Sequence, residues 1–308
     1  MIRKRLVSVI ILALVVITVI MAGGRIIRPF ASPAPIGGRG NAVALIYLEG
    51  MIVGGRGQNS LLNAVGGTDT VIRQLQEARL DPDIAAVVLR INSPGGTAAA
   101  SQEVHNEVLR VREAGKPLVA SFADVAASGG YWIASGADAI VANPATITGS
   151  IGVIMEVNNL VELYEKLGIG SEVIKSGEHK DMGNPARSLT ENERDILQSM
   201  VDDIFEQFID VVAEGRGLGR AQVRELADGR IFTGRQAEGL GLVDRLGDLT
   251  VAVDLAGELA EIPGKPRIKE MGGRRSVFDI FFGGTSLNLP LPSSWPLKSF
   301  NSRELMPR

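Results

Sequence analysis

The sequence predicts an α/β domain with a largely parallel sheet, and three observations carry that prediction. Apolar runs of strand length at 43–48, 84–91, 117–122 and 139–141 alternate with stretches of helical periodicity. Strands separated by helices pair in parallel through crossovers rather than as hairpins. Second, two of these runs lead into glycine turns, Asn92-Ser93-Pro94-Gly95-Gly96 and Ser128-Gly129-Gly130. Loops at the carboxyl ends of neighbouring parallel strands share one crevice. Third, 308 residues with 45% hydrophobic content can bury a large core, and a net charge of −3 without a basic stripe argues against a nucleic-acid partner.

In chain order, Leu6 to Ala22 is apolar except for Ser8 and Thr18 and follows Arg3, Lys4 and Arg5. This predicts one transmembrane helix, a signal anchor over residues 1–24. Retention is favoured over cleavage at Met21-Ala22-Gly23-Gly24 because no polar, helix-breaking stretch precedes those small residues. The basic excess before the segment, against Arg25 and Arg28 after it, places the amino terminus in the cytoplasm and the body outside. Residues 25–41, rich in proline and glycine, read as a flexible linker. The domain is expected over 42–265.

Within it, Thr68 to Leu80 sets Val71, Leu75 and Ala78 on one helical face and stops at Asp81-Pro82. A second helix is expected over Ala98 to Glu113, and small residues from Gly130 to Ala137 form a third. Thr148 to Val153 reads as a turn entering a further strand. Leu160 to Leu167 is helical, and Glu172 to Ile174 extends toward a polar loop at 175–188. Thr190-x-x-Glu193 is a capping box opening a long helix with Ile196, Met200, Ile204, Phe208 and Val211 on its buried face. A last helix ends near Glu261, and the tail at 266–308 has no assignable role.

The chain has no cysteine, which excludes disulfides, thiolate metal sites and a cysteine nucleophile. Its two histidines, His105 and His179, exclude a histidine-rich metal site. Ser128 stands at a strand-to-helix turn, where it serves equally well as a nucleophile or as a helix N-cap. The amides of Gly95 and Gly129 can form a two-donor oxyanion hole, although Pro94-Gly95 also suits a plain type II turn. For a base the residues leave His105, read as a partly exposed helix residue, His179, Lys175 and Lys180. A lysine qualifies only if burial favours its neutral form.

Five motifs together resemble the serine signal peptide peptidases of the protease IV (SppA) family in their short, single-domain form. They are Asn92 to Gly96, Ala126 to Ile133, Thr148 to Val153, Lys175-Ser176-Gly177-x-x-Lys180-Asp181 and Gly239 to Asp244, in the family's order, and the likeness runs from about Val43 to Glu261. The resemblance implies a Clp protease/crotonase-like fold of repeated β-β-α units and a Ser-Lys dyad. In it Ser128 is the nucleophile, Lys180 the base and Ser150 the hydroxyl that orients the lysine, with Gly95 and Gly129 as oxyanion donors. It further implies no metal or cofactor, and signal peptides and other hydrophobic segments as substrates at the outer face of the cytoplasmic membrane. A homo-oligomeric ring, with Lys180 reaching the serine of an adjacent subunit, completes the implied picture. Two readings compete: a crotonase-like acyl-CoA enzyme, and a membrane scaffold that keeps an inactive protease fold.

Overall fold

A computed structural model describes residues 40–55, 58–60, 63–65 and 67–272. The expected anchor at 1–24, most of the linker and the tail after residue 272 lie outside the described residues. Among the described residues, no helix is long and apolar enough to cross a membrane.

The elements follow the predicted alternation. Strand β1 (Ala42–Glu49) precedes a small antiparallel pair, β2 (Gln58–Ser60) and β3 (Asn63–Val65), then helix α1 (Thr68–Leu80) and β4 (Ile84–Ser93). Helix α2 (Ala98–Glu113) leads to β5 (Leu118–Ala127), the short helix α3 (Gly129–Ser135), β6 (Ala139–Ala142) and β7 (Ile147–Gly149). There follow α4 (Val161–Leu167), a 3-10 turn (Glu178–Asp181), the long α5 (Glu191–Arg216) and α6 (Arg220–Leu226). Strand β8 (Ile231–Thr233), α7 (Gly234–Gly239), β9 (Arg245–Leu246), α8 (Leu249–Leu259) and β10 (Arg267–Glu270) complete the body.

The main sheet has eight strands in the order β10-β1-β4-β5-β6-β9, all parallel; β7 runs parallel to the end of β5, and β8 lies antiparallel to β7. Strand side chains alternate between faces. Ala42, Ala44, Ile46 and Leu48 of β1 join the larger core beneath α1, α2, α3 and α5, while Val43 and Leu45 join a second core beneath α8. Burial on both faces is why β1 and β4 read as unbroken apolar runs.

Three features differ from expectation. Strand β5 continues to Ala127: past a register shift between Ile91 and Ser93 it still meets β4, where Ser93 pairs with Ala126, while on its other side it exchanges β6 for β7 over Val125 to Ala127. The strand expected directly after the Gly149 turn does not form, residues 150–160 being irregular, and 172–174 is exposed chain without strand partners. Near the carboxyl end, Arg267 to Glu270 adds an edge strand beside β1, so the sheet reaches past residue 265.

Helix α5 is divided along its length. Phe208, Ile209, Val212 and Ala213 are buried against α3, with the Trp132 and Phe208 rings 4.7 Å apart. Met200, expected on the buried face, is 47% exposed, because the first half of the helix leaves the body alongside the segment 150–190. The Gly239 to Asp244 motif acts as a latch. Leu242 O accepts from the Tyr131 hydroxyl (2.8 Å), Asp244 accepts from Ile140 N (2.7 Å), and Asp244 pairs with the Arg216 guanidinium (2.5 Å).

Candidate active site

The β5–α3 junction forces Ser128 into a backbone conformation that side chains other than glycine seldom adopt, with φ 51° and ψ −120°. Two main-chain bonds hold it there: Ser128 N donates to Gly149 O (2.8 Å), and Trp132 N donates to Ser128 O (2.9 Å). Although Ser128 occupies the N-cap position of α3, its side chain makes no capping hydrogen bond. The hydroxyl is therefore not consumed by the helix, and the N-cap reading fails. Gly129 N–H, the first of α3, has no carbonyl of its own helix to bond.

The turn after β4 closes against this junction. Gly95 has φ 110°, and a Cβ there would lie 2.7 Å from Ser128 Cβ and 3.0 Å from Gly129 N, so only glycine lets the two turns meet. The Gly95 N–H donates to Ser93 Oγ (3.1 Å). Gly96, which lines the cleft, has an amide without an acceptor among the described residues, and its nitrogen is 3.3 Å from where a Gly129 Cβ would stand. Sequence reasoning overlooked Gly96. The available signal was Ser93, two residues ahead of Gly95, where a serine hydroxyl commonly bonds a nearby amide.

Ser128, Gly129, Gly96 and Ser150 line a cleft of about 750 Å³ walled by Trp132, Val153, Met155, Ile204, Phe205 and Phe208. That volume is ample for several side chains of a bound segment. Pairing of Ala127 with Gly149 sets Ser150 beside Ser128, and Ser150 itself has φ 50° and donates its N–H to Arg230 O (2.8 Å). Thus the structure gathers Ser128, Gly129, Gly95 and Ser150 in one place.

It does not bring Lys180 there within one chain. Lys180 is exposed on the 3-10 turn and is not among the residues lining the cleft. The histidines are not cleft residues either. His105 was expected to be partly exposed but is 5% exposed behind α3, where Nδ1 lies 3.1 Å from Trp132 O. Burial pushes its imidazole below the ordinary value, with the Trp132 carbonyl opposing that shift. His179, next to Lys180, has Nε2 3.5 Å from the Asn192 side-chain nitrogen.

A serine held at a strained strand-to-helix turn, with its hydroxyl unused and two unengaged amides beside it over an apolar cleft, defines a serine hydrolase site. Comparison with known proteins narrows the class: residues 110–263 match the peptidase family S49, and the chain belongs to that family as a serine peptidase. It is 44% identical over 224 residues to a candidate protease of Synechocystis sp., covering 72% of this chain and 80% of that protein. It is 38% identical over 231 residues to Protease 4 of Salmonella typhi, covering 75% of this chain but 36% of that protein. It is 41% identical over 183 residues to a candidate signal peptide peptidase SppA of Enterococcus faecium, covering 59% of this chain and 53% of that protein. The chain thus spans only about a third to a half of the length of the latter two. The resemblance read from the five motifs is borne out.

Proposed function

We propose that this chain is a membrane-anchored serine endopeptidase with a Ser-Lys dyad that degrades remnant signal peptides and other hydrophobic segments at the outer face of the cytoplasmic membrane. The observation that carries the reading is the uncapped Ser128 hydroxyl at a strained turn lining an apolar cleft. In the first step neutral Lys180 Nζ takes the Ser128 proton as Oγ attacks the peptide carbonyl carbon. The developing oxyanion is held by Gly129 N–H and by the Gly95-Gly96 turn. Of that pair Gly95 is the expected donor, but its N–H is occupied by Ser93, and Gly96 N–H is the freer one. Charged Lys180 then returns its proton to the leaving amine, and water, deprotonated by the same lysine, hydrolyses the acyl-enzyme. Ser150 accepts the task of orienting the lysine.

The apolar walls suit hydrophobic segments, and the name of the Enterococcus relative supports signal peptides among them. An exposed Lys180 outside its own chain's cleft supports a homo-oligomeric ring in which the lysine serves a neighbour's serine. A head-to-tail contact gives such a ring when its rotation closes. Exposed Ile154 and Ile174, at 91% and 97%, lie on the same segment and favour a covered surface there. An anchor of the body to the membrane raises its effective concentration near membrane-embedded remnants.

The test uses the full-length chain in detergent, a synthetic signal peptide and a serine-reactive fluorophosphonate. Ser128→Ala and Lys180→Ala each lower kcat by about 10⁴-fold or more while remaining folded. His179→Ala retains most activity. Wild-type turnover by Lys180→Ala refutes the dyad, and failure of the fluorophosphonate to label Ser128 favours the acyl-CoA reading.

A further inference from the structure

The turn that carries Lys180 is fixed at both ends by charge. Ahead of it, Lys175 Nζ donates to Glu178 O (2.8 Å) and to Asp181 Oδ1 (2.7 Å), bridging the first and last residues of the turn. Behind it, Arg187 grips Asp181 three ways: Nε to Oδ2 (2.9 Å), Nη2 to Oδ1 (2.8 Å) and Nη2 to the main-chain oxygen (3.2 Å). The same guanidinium reaches Glu193, from Nη2 to Oε1 (2.6 Å) and from Nη1 to Oε2 (2.8 Å).

Glu193 is in turn built into the start of α5. Its Oε2 accepts from Thr190 N (3.0 Å), its own N–H donates to Thr190 Oγ1 (3.2 Å), and its side chain is 2% exposed. Arg187 holds the Glu193 carboxyl down to about 2, with the Thr190 amide helping. Arg187, then Lys175, holds Asp181 well below the usual carboxylate range.

The motif that carries Lys180 contains Lys175 and Asp181 without giving either a role, the capping box accounts for Glu193 only as a helix start, and Arg187, which links them, lies in no motif. Economy of exposure also sets this chain of charges apart from an ordinary surface network: the side chains of Asp181 and Glu193 are 10% and 2% exposed on a segment otherwise mostly exposed. A planar guanidinium with five donors can fork to two carboxylates at once, which a lysine ammonium cannot do in the same geometry.

We infer that Arg187 and Glu193 are positioning residues for catalysis, a clamp that ties the Lys180 turn to the capped start of α5 so that the lysine is delivered in one place. The inference rests on the reading of Lys180 as the base. All four charged groups are in one chain, so the clamp operates within the subunit that donates the lysine, whichever subunit's Ser128 it serves. Without it, the turn has few other ties: none of its residues is fully buried, and α4 nearby buries none.

The test measures kcat and KM separately for the full-length chain on one signal-peptide substrate, with thermal unfolding recorded for every variant. Arg187→Gln lowers kcat about 10- to 100-fold, the scale of a misplaced catalytic group, and leaves KM within about 3-fold. Arg187→Lys keeps the charge but not the fork, and recovers part of the loss. Glu193→Gln keeps an acceptor for Thr190 N while removing the ion pair, and lowers kcat about 3- to 10-fold by the same displacement. A folded Arg187→Gln enzyme with wild-type kcat overturns the clamp, and so does a loss confined to KM. If Arg187→Gln fails to fold, Glu193→Gln decides, and wild-type kcat there overturns the proposal. Lys180→Ala separates the two readings. An active Lys180→Ala enzyme removes the dyad itself, whereas an inactive one beside a fully active Arg187→Gln removes only the clamp.

Discussion

Replacing Gly95 by alanine tests whether the two glycine turns form one device. The new methyl carbon would lie 2.7 Å from Ser128 Cβ, 3.0 Å from Gly129 N and 3.1 Å from Ala127 O, and two of these three are backbone atoms that cannot swing aside. The φ of 110° adds strain of about 1–3 kcal/mol for any L side chain. Overpacking a close contact adds about 1–3 kcal/mol. The total, about 2–6 kcal/mol, is a large part of the 5–15 kcal/mol by which domains are typically stable, yet leaves the protein folded at room temperature in most of that range. Gly115→Ala is the matched control. Its φ is 79° and nothing lies within 4 Å of the added carbon, so it carries only the backbone cost, about 1–2 kcal/mol.

The assay pairs urea unfolding with the rate of fluorophosphonate labelling, corrected for the folded fraction. Gly95→Ala should lower the unfolding midpoint more than Gly115→Ala. Because the methyl displaces Ser128 or the Gly129 amide, labelling should also slow about 100-fold, the penalty for a misplacement near 1 Å. Gly115→Ala should label at the wild-type rate. Wild-type labelling by folded Gly95→Ala would refute the claim that the Gly95 turn sits against the nucleophile.

The buried His105 makes a prediction about pH. Its imidazole is depressed by burial, so the unfolded chain takes up a proton first as pH falls below about 6.5. This contribution is therefore present above that value and is lost as pH falls toward the folded-state value, with a slope of at most about 1.4 kcal/mol per pH unit. Denaturant midpoints from pH 7.5 to 5 should fall less steeply for His105→Gln than for wild type, and identical slopes would contradict the burial. Subunit sharing predicts that inactive Ser128→Ala and inactive Lys180→Ala chains, mixed, dissociated and reassembled, regain activity at sites pairing an intact serine with a neighbour's intact lysine. Demonstrated exchange with no recovery would place the dyad within one chain.

The sequence by itself determined the features whose causes are local. Strand-length apolar runs marked β1 and β4 because both faces of those strands are buried, and Thr190-x-x-Glu193 marked the start of α5 because a capping box involves only four consecutive residues. The glycines at 95 and 129 and the serine at 128 announced a tight turn for the same reason. Tertiary structure decided the rest. Whether Ser128 caps α3 or keeps its hydroxyl free depends on the pairing of β5 with β7, which pulls Ser128 N onto Gly149 O and sets Ser150 beside it. Met200 repeats the apolar spacing of Phe208 but lies on the half of α5 that leaves the body, and periodicity records which residues share a face without recording what covers it. Lys180 lies outside the cleft, and Arg187 reaches two acids six residues away on either side; both facts depend on the path of irregular chain through the segment 150–190, which no helix or strand periodicity encodes.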